Sequence, residues 1–183
     1  MPTRFIAHPQ PAPVEPGTAA APTTLAEAVA ELRTRLEIPA DFPPEVTAAA
    51  EAAARRPRLP DLDRTDLELL TIDPPGSKDL DQALHIAASG AGFVVSYAIA
   101  DVAAFVAAGD PVDAEARRRG LTLYAPDVRT PLHPPALSEG AASLLPDQVR
   151  PALLWTLQLD EAGELSAVDV SRALVRSRAQ LTY

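Results

Sequence analysis

The chain has no cysteine and, at Lys78, a single lysine in 183 residues. Without cysteine there is no disulfide, no thiolate-bound zinc and no thiol nucleophile. The net charge of −9 argues against a general basic coat for nucleic acid. No apolar run approaches the length of a membrane span. The N-terminus, Met1-Pro2-Thr3-Arg4-Phe5-Ile6-Ala7-His8, lacks the continuous apolar stretch of a secretory signal. A Gly-x-Ser-x-Gly elbow, a phosphate-binding glycine loop and a zinc-ligand spacing are all missing. The expectation is a soluble, cytoplasmic protein. At 47% hydrophobic residues, the chain can bury one ordinary core.

What is present is concentrated. Thr71-Ile72-Asp73-Pro74-Pro75-Gly76-Ser77-Lys78-Asp79-Leu80-Asp81-Gln82-Ala83 places three carboxylates within nine positions around a Pro-Pro-Gly-Ser turn. If Asp79-Leu80-Asp81 is extended, both acids face one way and Leu80 the other. A bend after Asp73 would return the chain so that all three acids meet. Hard divalent cations take oxygen ligands, and Mg²⁺ is usually held by one or two carboxylates with water and phosphate. The ordinary alternative is a solvated turn whose aspartates cap their own backbone. The arginines also cluster, at Arg55-Arg56, Arg117-Arg118-Arg119, and Arg172, Arg176 and Arg178. A guanidinium suits phosphate and stacking contacts, although an arginine and alanine bias also marks a GC-rich genome.

The periodicities indicate an α+β fold: a mixed, mainly antiparallel sheet with flanking helices, preceded by a helical N-terminal extension. Residues 1–23 read as a mobile Pro/Ala-rich arm and 24–60 as the extension. Thr24-Leu25-Ala26-Glu27 matches a capping box ahead of Leu25, Val29, Leu32 and Leu36 at helical spacing. A second helix is expected from Pro44-Glu45 to Arg56. Strands are expected over 67–72, over 83–88 and 93–100 flanking Ser89-Gly90-Ala91-Gly92, and over 153–159 and 165–175. One or two helical turns are expected over 101–107. A helix opens at Asp110-Pro111 and ends at Gly120. A short strand over 121–124 precedes a proline-rich loop over 126–135. The end at Ala173–Tyr183 has no polar tail, as if cut short or docked on the surface.

Thr71-Ile72-Asp73-Pro74 followed by Asp79-Leu80-Asp81 resembles the opening signature of the RNB catalytic domain of the ribonuclease II family, hydrolytic 3′→5′ exoribonucleases that include ribonuclease R. Further segments match in order: Tyr97-Ala98-Ile99-Ala100-Asp101-Val102, Gly109–Gly120, Leu121-Thr122-Leu123-Tyr124-Ala125-Pro126, Leu137-Ser138-Glu139 with Ser143-Leu144, and Arg150-Pro151-Ala152. The likeness runs from about Leu67 to Tyr183, so 61–183 is identified as the N-terminal part of an RNB domain. It implies that Asp73, Asp79 and Asp81 are Mg²⁺ ligands (Mn²⁺ being an alternative), with Asp81 and Asp79 catalytic. It further implies that Tyr124 stacks on a base of single-stranded RNA, with Arg117, Arg118 and Arg119 available for phosphate. Two-metal hydrolysis to nucleoside 5′-monophosphates follows.

Two departures temper the expectation. Gln82 stands where the family usually has a fourth aspartate; its carbonyl oxygen can ligate a metal but brings no charge. The family's cold-shock domains, the remainder of its catalytic domain and its S1 domain have no counterpart in this sequence. The competing expectation is therefore a weakened or inactive RNA-binding or interaction module. His133, where the family tends to have leucine, reads as a surface or satisfied histidine, as does His85; His8 falls in the arm.

Overall fold

The computed structural model describes residues 24–182; the arm expected over 1–23, with His8, and Tyr183 lie outside the described residues. The chain divides between Ile38 and Pro39 into two compact units.

In the first unit, helix α1 spans Leu25–Arg35. Its capping box forms as the sequence predicts. The Glu27 N–H donates to Thr24 Oγ1 at 3.2 Å, and the Thr24 N–H donates to Glu27 Oε2 at 3.0 Å. Despite the apolar spacing of Leu25, Val29, Leu32 and Leu36, no residue of α1 is fully buried among the described residues.

The second unit is built on a closed five-stranded barrel. Its strands are β1 (Leu69–Ile72), β2 (Gln82–Ser89), β3 (Gly92–Ala100), β6 (Val149–Leu159) and β7 (Leu165–Leu181), in that order around the wall. All neighbours are antiparallel except β1 and β7, which close the barrel in parallel, Leu70 opposite Ala179 and Ile72 opposite Leu181. The fold is thus the α+β arrangement with a mainly antiparallel sheet that the periodicities indicate. The two-residue turn Gly90-Ala91 sets the β2–β3 register, Ser89 facing Gly92. Gly92 has no alternative, since a Cβ there would sit 2.0 Å from the Leu159 carbonyl oxygen.

Alternation decides which side chains fill the barrel. Ala83, Ala98, Leu154, Ala152, Ala173 and Val175 point inward and pack with Leu69, Leu80 and Leu144. On the opposite face, Tyr97, Trp155 and Val170 lie in one row, and Ile86, Val95, Leu157 and Val168 in the next. Ile86, Trp155, Val168 and Val170 in these rows are exposed. The strands β6 and β7 run beyond their expected limits of 153–159 and 165–175. Pairing of Ser177–Leu181 with β1, over 100 residues distant, fixes the far end of β7, and a local pattern cannot reveal such a partner.

A second core lies beside the barrel. Helix α2 (Pro44–Ala54) and helix α3 (Pro111–Arg119) contribute Val46, Ala50 and Val112. A 3₁₀ turn at Val102–Ala104 and a π-helical turn at Leu137–Ala141 add Ala104 and Leu137. Residues 39 onward group together, so α2 belongs to this unit. Asp110 caps α3, its Oδ1 accepting the Asp113 N–H at 2.8 Å, with Pro111 at the first position and Gly120 (φ 79°) at the end. The loop expected over 126–135 contains a strand: β4 (Leu123–Tyr124) pairs with β5 (Arg129–Thr130), Tyr124 directly opposite Arg129.

Leu80 is fully buried and pinned on both sides. Its N–H donates to Ser143 Oγ at 3.0 Å, and its carbonyl accepts the Leu144 N–H at 2.9 Å. Replacing it leaves a cavity in a closed barrel, so Leu80→Ala is expected to cost about 2–5 kcal/mol. Ile86→Ala, on the exposed face, is expected to cost under about 1 kcal/mol. Urea unfolding of the two variants checks the contrast; equal losses would contradict the packing.

Candidate functional site

The acid-rich segment is shaped by the barrel. Ile72 ends β1, and the Asp73 N–H donates to the Leu181 carbonyl at 3.0 Å. The chain then turns through Pro74–Ser77, the Ser77 N–H donating to the Pro74 carbonyl at 3.1 Å with Gly76 at φ 82°. Pro then Gly at the two central positions is what a type II turn requires. The returning segment is tied down by Ser143, whose Oγ donates to the Lys78 carbonyl at 2.6 Å while accepting from Leu80. With Leu80 driven inward, Asp79 and Asp81 both face out. The Asp81 carbonyl accepts the Ala100 N–H at 2.9 Å, which hands the chain to β2.

Asp79, Asp81 and Gln82 line a cleft of about 370 Å³, with Tyr124, Arg129, His133 and others on its remaining walls. Asp81 reaches solvent, yet its carboxyl is held above the usual aspartate range. The cause is first the water stripped away by the cleft walls, then the charges of Asp79 and Asp73; Arg129 offsets part of this. Asp79 and Asp73 are thus near enough to act on Asp81 through their charges, but the meeting of all three acids expected from the bend after Asp73 is not seen. They do not form a closed cage: among the described residues no three His, Cys, Asp or Glu side chains converge to hold an ion.

Arg129 holds one of the three acids. Its Nη1 donates to Asp79 Oδ2 at 2.5 Å and its Nη2 to Glu139 Oε1. Arg129 and Asp79 form a wall shared with a second cleft lined by Pro75, Gly76, Ser77, Lys78 and Glu139. Neither Arg129 nor Glu139 stands out in the sequence as a partner of the acids, since 50 and 60 positions separate them from Asp79. The motif Ser143-Leu144 was visible, but not its job of fastening Leu80.

The remaining expected residues sort clearly. The Gln82 Oε1 accepts the Tyr97 hydroxyl from the adjacent strand. Tyr124 is 75% exposed at the cleft, so it is an open ring and not a half-buried strand tyrosine. His133 is half-buried in the cleft wall, and burial lowers its pKa. Arg119 must be removed from the phosphate-contact set. Its side chain is 2% exposed and pairs with Glu115 at 2.7 Å. It also donates to the Asp41 and Pro131 carbonyls and lies 3.7 Å over the Phe42 ring, so it joins α3 to the segment before α2. Arg117 and Arg118 are 75% and 55% exposed, paired with Asp113 and Glu115 on the same helix.

The RNB domain model matches residues 62–183, two thirds of the chain, and spans the barrel and the whole acid-rich segment. The chain belongs to the RNB family. Exoribonuclease 2 of Yersinia pestis (strain Pestoides F) is 36% identical over 141 residues, 76% of this chain and 22% of that protein. The structure of Mycoplasma genitalium RNase R in complex with ribose-methylated single-stranded RNA superimposes with a TM-score of 0.79 at 27% identity, over 86% of this chain and 25% of that one. Yeast Ssd1, a pseudonuclease, shares the fold at 20% identity with a TM-score of 0.59, over 72% of this chain and 16% of Ssd1. This RNB chain therefore spans about a fifth of the length of the curated relatives it matches.

The raised Asp81 pKa has a consequence for stability without added metal. The folded protein holds this proton at a pH where the unfolded chain has lost it, so stability falls as pH rises from about 3.8 through the folded value. Above that window the penalty is complete. In EDTA at pH 7, Asp81→Asn is expected to raise the urea midpoint, and the gain should vanish in acid below both values. A lower midpoint at pH 7 would contradict the clustering of the three charges.

Proposed function

We propose that this chain carries the cation-binding and base-stacking part of a hydrolytic 3′→5′ exoribonuclease that acts on single-stranded RNA and releases nucleoside 5′-monophosphates. The observation that carries the reading is the shared cleft: Asp79 and Asp81, one buried leucine apart, face an open tyrosine. The Yersinia relative is named an exoribonuclease, and the Mycoplasma relative was solved with single-stranded RNA, which supports the same direction. The absence of cysteine suits a cytoplasmic setting, and among the described residues no helix is long and apolar enough to cross a membrane.

The donors are of the kind a hard divalent cation takes, though among the described residues no three acids converge on one point. All candidate ligands are oxygens, and the mutual repulsion felt at Asp81 is the charge a cation would relieve. Asp81, Asp73 and Asp79 would hold Mg²⁺ or Mn²⁺, with Gln82 able to add its amide oxygen. A bound divalent cation would polarise the phosphate and lower the pKa of attacking water. Tyr124 would stack on a base near the 3′ end, an interaction worth about 1–3 kcal/mol and tolerant of sequence. Arg117 and Arg118 can exchange their intrahelical carboxylates for outer phosphates. Arg119 cannot, because its guanidinium is fully committed.

A second reading, an RNA-binding module without hydrolysis, is favoured by one feature: Gln82 brings no charge and shares its carbonyl with Tyr97. A time course on 5′-labelled single-stranded RNA separates the two. The exonuclease reading expects a shortening ladder with Mg²⁺ or Mn²⁺, lost in EDTA and reduced by more than about 100-fold in Asp81→Asn. Intact RNA under all conditions, with binding retained, would replace it by the module.

A further inference from the structure

The wall of the cleft that holds Asp79 and Asp81 carries a polar ring that no contact among the described residues uses. Most other polar side chains there are engaged. The Thr122 Oγ1 accepts the Leu132 N–H at 3.1 Å, and the Ser138 Oγ donates to the His133 carbonyl at 3.3 Å. Asp79 and Arg129 are paired with one another. Asp81, Gln82 and Tyr124 are exposed, so water reaches whatever those side chains leave unpaired. His133 differs. Its ring is half-buried, yet it takes part in no hydrogen bond or ion pair among the described residues, and burial is the influence that moves its pKa.

A polar group taken out of water without a partner is unfavourable until a ligand completes it. The ring is also preset. Leu132 on one side is tied to Thr122, Pro134 on the other is fully buried, and Ser138 holds the His133 carbonyl. A group held this way loses little further freedom on binding.

The chemistry of an imidazole narrows the ligand. The neutral ring has a donor N–H at one nitrogen and a bare acceptor at the other, so what it offers the cleft depends on the tautomer. A phosphate oxygen suits only the donor. A base edge suits it in some bases and not in others, which conflicts with the sequence-tolerant stacking proposed for Tyr124. The ribose 2′-hydroxyl both donates and accepts, so it suits either tautomer; every nucleotide of RNA carries it and DNA lacks it. The cleft, at about 370 Å³, is near the lower end of small-ligand sites and suits a single nucleotide.

We infer that the His133 ring hydrogen-bonds the ribose 2′-hydroxyl of the nucleotide seated in this cleft, and so selects RNA over DNA at that position. The inference rests on the cleft being an RNA site. His133 is then a specificity-determining residue, and one neutral hydrogen bond supplies about two- to tenfold in affinity.

The test uses the full 183-residue chain in an Asp81→Asn background, where the proposed hydrolysis is blocked, with Mg²⁺ at about pH 8, where an imidazole carries no proton. The probes are fluorescein-labelled single-stranded oligoribonucleotides in which one 2′-hydroxyl at a time is replaced by hydrogen. Fluorescence anisotropy is expected to show a loss of about two- to tenfold at a single position near the 3′ end, and no loss elsewhere. His133→Leu should bind the all-ribose strand more weakly by the same factor and become indifferent to that replacement. His133→Gln, which can still donate and accept, should keep a preference for the hydroxyl. Far-UV circular dichroism confirms that each variant is folded; should His133→Leu be unfolded, His133→Met takes its place. A preference that survives in His133→Leu, indifference of the His133 form to every replacement, or a change in base preference instead of sugar preference would overturn the inference and leave the RNA site standing. No RNA binding by any form, nor by the chain with Asp81 intact in EDTA, would overturn the RNA reading of the cleft and the inference with it.

Discussion

The burial of Leu80 is the constraint from which the site follows. An extended Asp-Leu-Asp must send its middle side chain one way and its outer two the other. The barrel interior takes the leucine completely, and hydrogen bonds from Leu80 N–H to Ser143 and from Leu144 N–H to the Leu80 carbonyl leave it no freedom to slip. A one-residue shift would put Asp79 and Asp81 into an apolar core, at a cost far above the stability of a domain of this size. Hydrophobic burial thus fixes the direction of the two carboxylates, and the closure of β1 against β7 fixes where the chain turns after Asp73.

The same segment shows how a cluster of like charges is tolerated. At Asp81 the cleft walls first, and then the charges of Asp79 and Asp73, raise the energy of the ionised form. Arg129 relieves the cluster at one end, fixed between Asp79 and Glu139. Elsewhere the molecule uses arginine for packing. Arg119 is sealed among Glu115, Phe42 and two carbonyls. Arg172 pairs at 2.7 Å with the buried Asp101, which heads the 3₁₀ turn after β3. The arginines that looked alike in sequence divide by what surrounds them.

Much of this architecture was legible in the sequence where it is local. The capping box of α1, the Asp110-Pro111 start and Gly120 end of α3 and the Gly90-Ala91 turn rest on contacts within a few residues, and the two-sided Asp79-Leu80-Asp81 follows from simple alternation. What escaped is non-local. The pairing that extends β7, the β5 strand inside a proline-rich stretch, and the Arg129 bridge join positions tens of residues apart. The apolar spacing of α1 misled in the opposite direction: the pattern is present, and no residue of the helix is buried. Arg119 misled because a basic run at a helix end looks the same in sequence whether it is solvated or sealed.

The central claim is that Leu80 aims Asp79 and Asp81 at a divalent ion beside Tyr124. Crystals of this chain soaked in Mn²⁺ and measured at the manganese edge would test it most directly. The account predicts an anomalous peak within ligand distance of Asp81, in the cleft that Tyr124 lines. A peak only elsewhere on the surface, or none with the acids well ordered, would contradict it.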